Sequence, residues 1–183
     1  MKTLATLASF LILSVALWAQ DNPPRTSDAG GKWTAEVTID KFTSDPYTKL
    51  KLVADEEIRG GEESGLPSFT IECGKKDGKF QWINARLHSP VTLGRPNTGS
   101  WLTGAPQQTV KLRANDKYYK HNWTIAPSFH SFYVDKDATK ELLNSAATRI
   151  EFRDRAERPQ VVLFTPAGIN KEMVNKACGK LVK

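Results

Sequence analysis

The sequence predicts a mainly β (α+β) fold, an antiparallel β-sandwich or rolled sheet with two helices in the C-terminal part. Three observations carry that expectation. Short segments alternate apolar and polar residues with period two, glycine- or proline-bearing turns separate them, and a helical apolar stripe emerges only twice, late in the chain. At 183 residues with a leader over residues 1–19, the remainder has the length of one domain.

The leader comes first. In MKTLATLASFLILSVALWAQ a single positive charge, Lys2, precedes an apolar run from Leu4 to Leu17, and the small residue Ala19 stands where a signal peptidase cuts. The run ends in Gln20, Asp21 and Pro23-Pro24, short of the roughly 20 apolar residues a spanning helix needs. Residues 1–19 therefore read as a cleaved signal peptide, residues 20–32 as a flexible linker rich in proline and glycine, and residues 33–183 as a single β-rich domain. No later segment is apolar enough to span a bilayer, so no membrane span is expected after cleavage.

Strands follow from the alternation. Trp33, Ala35, Val37 and Ile39 share one face, as do Leu50, Leu52 and Ala54, and then Phe69, Ile71 and Cys73. The stretch from Arg59 to Gly65 reads as a solvated glycine- and acid-rich loop. Asp77-Gly78 supplies a hairpin turn that returns the chain as Phe80 to Leu87. Val91 to Leu93 reads as a short strand entering the turn Gly94-Arg95-Pro96, and Asn97 to Gln108 as a long loop containing Trp101. Val110 and Leu112 alternate with Lys111 and Arg113, and Pro127 divides the aromatic stretch that follows into strands near Tyr118–Ile125 and Phe129–Val134.

The C-terminal part is expected to hold a helix from Ala138 to Ala147, capped by Asp135 or Asp137, with Leu142, Leu143 and Ala146 inward. Strands at Arg149–Arg153 and Val161–Thr165 flank a charged turn, Asp154 to Pro159. A second helix, from about Asn170 to Cys178, carries the stripe Ile169, Met173, Val174 and Ala177 and ends at Gly179, a natural C-cap. About eight strands result.

Two cysteines remain in an exported chain, so Cys73 and Cys178 are expected to pair, tying an early strand to the last helix. Removing residues 1–19 takes one basic residue, Lys2, from 26 against 20 acidic ones, and lowers the net charge from +6 to +5. Acidic residues are interleaved with these basic ones, which describes a solvated surface and argues against dedicated nucleic-acid binding.

His88, His121 and His130 lie far apart and form no metal-ligand pair, and Glu56, Glu57, Glu62 and Glu63 lack the register of a calcium loop. There is no GxSxG elbow, P-loop or dinucleotide fingerprint. The sequence thus names no catalytic, metal-binding or cofactor-binding residue, and no cofactor is expected. Asn122-Trp123-Thr124 matches a glycosylation sequon. The aromatics Trp82, Trp101, Tyr118, Tyr119, Trp123, Phe129, Phe132 and Tyr133 could line a carbohydrate or peptide groove, but most read as core, with Trp101 the exception because its loop has little reason to bury it. Trp101 and the basic turn residues Arg153, Arg155 and Arg158 are the candidate partner contacts.

Trp33, the strand ending in Cys73, Val110 to Arg113 with Asn115-Asp116, Trp123 with Phe132, Glu151-Phe152-Arg153, and Val161 to Phe164 before a helix closing in Cys178 form a spaced pattern. It resembles the exported VasI-type accessory proteins associated with bacterial type VI secretion, over most of residues 33–179. The stretch Thr165 to Asn170 departs from that pattern. The resemblance implies a periplasmic or secreted, non-enzymatic envelope domain and transfers no catalytic residue. The resulting expectation is a binding or scaffold domain with a protein or envelope-polymer partner. The alternatives are a small secreted hydrolase acting on cell-wall polymer and a secreted inhibitor of another enzyme.

Overall fold

The computed structural model describes residues 25–39, 45–76, 79–100 and 104–179. The leader lies outside them, as do Asp77-Gly78 and Trp101. Thirteen strands and two helices are formed by the described residues. In chain order they are β1 (Arg25–Asp28), β2 (Trp33–Ile39), β3 (Pro46–Val53), β4 (Ile58–Gly60), β5 (Glu63–Gly65), β6 (Ser68–Lys76), β7 (Lys79–His88), β8 (Thr98–Ser100), β9 (Gly104–Ala114), β10 (Lys117–Ile125), β11 (Ser131–Val134), α1 (Lys136–Leu143), β12 (Thr148–Arg153), β13 (Pro159–Phe164) and α2 (Lys171–Cys178).

Eleven strands make one antiparallel sheet in the order β1-β2-β3-β6-β7-β11-β10-β9-β12-β13, with β8 beside β9, while β4 and β5 pair apart. The sheet rolls so that its two ends meet. The Trp33 indole N–H donates to the Pro166 carbonyl at 2.9 Å, the Asp55 amide to Leu163 O at 2.8 Å, and the Phe69 and Phe164 rings meet edge-on at 6.5 Å. The alternation read from the sequence explains why rolling is favourable: Leu50, Phe69, Leu87, Phe132, Leu112, Ile150 and Phe164 all fall on one face, and all are buried in a single core.

α2 closes one side of the roll against β3, β6 and β7. Asn170 caps it by accepting the Met173 amide at 3.0 Å, Gly179 follows its last residue, and Cys178 bonds Cys73. That disulfide is of the kind that forms and persists in oxidising compartments. Among the described residues no helix is long and apolar enough to cross a membrane.

Several boundaries differ from expectation. The linker is the largest correction: residues 25–32 are not loose, because β1 pairs with β2 from Arg25↔Val37 to Asp28↔Thr34 and Ala29 is fully buried. Two glycines make this possible. A Cβ on Gly30 would lie 2.2 Å from Gly168 O, and one on Gly31 2.4 Å from Ala167 O, so the polar, glycine-rich composition reflects close backbone packing. The loop Arg59 to Gly65 is instead the β4–β5 hairpin, and the long loop Asn97 to Gln108 is mostly β8 and the start of β9.

Val91 to Leu93 forms no strand, only a one-residue bridge from Leu93 to Asp154. Thirteen strands replace the eight expected, because short polar strands such as β1, β5 and β8 carry no apolar alternation. α1 starts two residues early, at Lys136, because Asp135 accepts the Ala138 amide at 2.8 Å, and it stops at Leu143, leaving Ala146 exposed. A bulge at Glu72/Cys73 shifts the β6–β7 register, which is why the period-two alternation does not run unbroken along the sequence of β7.

Candidate functional site

The charged turn after β12 is built around one buried carboxylate. Asp154 is 2 % exposed, and its Oδ1 accepts the amides of Ala156 (2.9 Å) and Arg158 (3.0 Å). Its Oδ2 accepts Arg158 Nε (2.9 Å) and Nη2 (2.8 Å) and Gln160 Nε2 (2.9 Å). Burial alone would raise this carboxyl, but the hydrogen bonds from the Arg158 side chain and backbone and from Gln160 outweigh it and hold it below the ordinary carboxylate value. A six-residue turn held by five such bonds is a rigid platform.

Two neighbours are fastened to that platform. The segment after β7 docks on it through Arg155 N to Thr92 O (2.9 Å) and Gly94 N to Arg153 O (2.8 Å), and a Cβ on Gly94 would lie 2.5 Å from Asp154 O. Glu63 of β5 grips Thr92 from another direction, accepting its amide at 2.6 Å and its hydroxyl at 2.8 Å, and these two bonds lower the Glu63 carboxyl from its ordinary value. Gln108 completes the assembly. Its side chain exchanges two hydrogen bonds with the Arg153 backbone, imitating a missing strand.

The loop before β11 supplies an aromatic ring. Phe129 has φ +56°, a conformation costing a non-glycine residue roughly 1–3 kcal/mol. It is held there by its amide, which donates to Ala126 O, and by its carbonyl, which accepts the Leu93 amide at 2.8 Å. The residue is 37 % exposed. Phe129, Pro96, Arg95 and Arg155 line an open groove of about 530 Å³. Glu157, also at positive φ, accepts the Arg95 amide at 3.2 Å and orients the Gly94-Arg95-Pro96 turn.

The basic residues singled out from sequence now separate by role. Arg158 is committed to Asp154, and Arg153 donates through Nη1 to Glu157 O at 2.7 Å, so both serve the turn. Arg155 is exposed and, among the described residues, its guanidinium makes no hydrogen bond or ion pair, although its charge acts on Glu63 at longer range. The Arg95 guanidinium is likewise exposed and makes no hydrogen bond or ion pair among the described residues, although in the sequence Arg95 reads only as part of a turn. Phe129, grouped with the aromatics that read mostly as core, is exposed instead. Its one sequence signal was its place two residues after Pro127, at the tip of a turn. Of the aromatics, Trp123 and Phe132 are core, Tyr118 (56 %) and Tyr133 (37 %) are exposed, and Trp101 lies outside the described residues.

Other polar clusters have structural partners. His88 hydrogen-bonds Thr70 (3.2 Å) and Ser131 (2.9 Å), both buried, and burial followed by the nearby Lys49 and Arg86 charges lowers its pKa. His121 meets Asp135 at 2.9 Å, where Asp135 also accepts the Trp123 indole N–H and caps α1. Among the described residues no three histidine, cysteine, aspartate or glutamate side chains converge as a metal site would require. Comparison with known families, curated proteins and solved structures finds no match to this chain.

Proposed function

We propose that this chain is an exported binding domain of the bacterial cell envelope that holds an anionic group of its partner between Arg95 and Arg155. One observation carries the reading: two guanidinium groups without an ion-pair partner among the described residues line one groove beside an exposed, conformationally constrained Phe129. Arginine left unpaired on a rigid loop suits planar, bidentate recognition of carboxylate, sulfate or phosphate. An aromatic ring beside such a pair adds apolar contact with little entropy to lose.

Location in the periplasm or outside the cell rests on the expected signal peptide, on the Cys73–Cys178 bond and on the resemblance to VasI-type accessory proteins, which would make the domain a secretion-system accessory. Binding is favoured over hydrolysis of wall polymer because a glycosidase needs two carboxylates flanking its substrate, and the residues lining this groove include none.

Titration with a sulfated disaccharide at low salt tests the reading. The wild type should bind it, and Arg95→Gln or Arg155→Gln should each weaken binding about tenfold, equivalent to about 1.4 kcal/mol. Phe129→Ala should weaken it by a smaller factor. Wild-type affinity in both arginine variants would remove the groove from consideration.

A further inference from the structure

The groove is not isolated, and its surroundings bear on what fills it. A depression of about 260 Å³ next to it is lined by Arg95 and Arg153 together with Lys111 and Glu151 on the outer face of the sheet, and a shallow one of about 350 Å³ further along β9 is lined by Arg113 and Arg149. These positions follow from strand register. Arg113 lies directly opposite both Tyr118 on β10 and Arg149 on β12, and Lys111 lies opposite both Lys120 and Glu151. All four of Lys111, Arg113, Lys120 and Arg149 are exposed, so this side of the three strands forms a basic face.

Stability does not account for the arrangement. Like charges directly across a sheet repel, and here two such pairs adjoin, Arg113 with Arg149 and Lys111 with Lys120. Acidic compensation is partial: Lys111 pairs with Glu151, and Arg113 reaches a wholly exposed Asp116 at 3.9 Å. Arg149 and Lys120 have no ion-pair partner among the described residues. Adjacent strands lie about 4.8 Å apart and residues two apart on one strand about 6.7 Å apart along the backbone, so from the groove to Arg113 basic residues recur at short intervals over several residues of β9.

We infer that the partner is a linear anionic polysaccharide that enters the Arg95–Arg155 groove and continues over the outer face of β9, β10 and β12. This rests on the groove reading and extends it from an anionic group to an extended chain. Charge complementarity selects a polyanion. A groove and a neighbouring depression that share Arg95 favour a chain over a flat bilayer, which would meet the face but not fill the groove. The exposed Tyr118 ring, in register with Arg113 and Arg149, offers a flat surface for a sugar ring, as Phe129 does at the groove.

The experiment compares heparin-derived oligosaccharides of two lengths, a disaccharide and a decasaccharide, on three double variants. Arg113→Gln/Arg149→Gln should weaken the decasaccharide at least tenfold, leave the disaccharide within twofold, and flatten the salt dependence of the long ligand, as loss of cation contacts does for other polyanions. Arg95→Gln/Arg155→Gln should weaken both lengths. Lys49→Gln/Lys51→Gln, which removes the same charge from β3, should change neither by more than twofold. Thermal unfolding of the Arg113/Arg149 variant at or above the wild-type temperature would show that the loss is not misfolding.

Wild-type affinity of the Arg113/Arg149 variant for the decasaccharide would overturn the extended track while leaving the groove standing. Failure of the wild type to bind either length would overturn both. An equal loss in the Lys49/Lys51 variant would reduce the effect to net charge and overturn the inference. So would tighter binding to vesicles of anionic phospholipid than to the decasaccharide.

Discussion

The Cys73–Cys178 bond and the Asp154 turn both fasten elements that are remote in sequence, and they do so by different physics. The disulfide joins residues 105 apart, bringing α2 onto β6, and it acts chiefly by restricting the unfolded chain. Asp154 joins the end of β12, the Thr92–Arg95 segment and β13 without any covalent link, and it acts only in the folded state, through a carboxylate whose donors it satisfies. The first is indifferent to pH and sensitive to reductant; the second is the reverse. The region that carries Arg155 is the one held by short-range polar geometry, whereas the region stapled by sulfur closes the core.

Breaking the staple should have the largest effect. Cys73→Ser/Cys178→Ser, or reduction under mild denaturant, should lower unfolding stability by about 4 kcal/mol, since closing a loop of roughly 100 residues is worth up to about 4.7 kcal/mol in the chain-entropy treatment. Urea titration measures this. A loss below about 1 kcal/mol would mean that α2 docks through its apolar stripe alone.

Asp154→Ala should cost less, about 3 kcal/mol, because it strands the Ala156 and Arg158 amides and the Gln160 amide group while the half-exposed Arg158 regains water. It should also weaken the sulfated disaccharide, since the turn carrying Arg155 loosens. Retained affinity in a destabilised variant would separate the hub from the groove.

Acid should sharpen the contrast with the smallest perturbation. Burial would raise both Asp154 and Asp55, yet hydrogen bonds from Arg158 and Gln160 to the first, and from Lys32 and Thr165 to the second, hold both below the ordinary value. A depressed folded pKa means that their contribution is complete above about pH 4 and is lost as pH falls below that through the folded values. Hydrogen exchange at pH 3 should therefore show faster opening around residues 154–160, after correction for intrinsic rates, with β6 and β7 beside the disulfide unchanged. Uniform opening of both regions would abolish the distinction.

How legible all this was in the sequence depends on the kind of signal. β2, β3, β6 and the second half of β9 were readable because one face of each is buried, so burial itself writes the alternation; α2 was readable from its stripe and from Asn170 and Gly179. Trp123 and Phe132 were correctly assigned to the core. By contrast, β1 and β8 are short and polar, and the packing of Gly30 and Gly31 on Gly168 depends on a segment more than 130 residues away. Arg95, Phe129 and Asp154 were illegible as a site for the same reason: each sits in a loop whose local chemistry indicates only a turn.

Local chemistry alone thus determined the inward face of the longer apolar strands, where α2 starts and stops, and that two cysteines would be drawn together, because each depends on period, capping or pairing within reach of the chain's own pattern. The tertiary structure alone decided that the sheet rolls end to end, that residues 25–32 belong to it, and that Arg95 and Arg155 meet in one groove with a cationic face running from it. Those outcomes depend on long-range register and on the close approach of backbones, and no local pattern of residues encodes which distant segment will arrive.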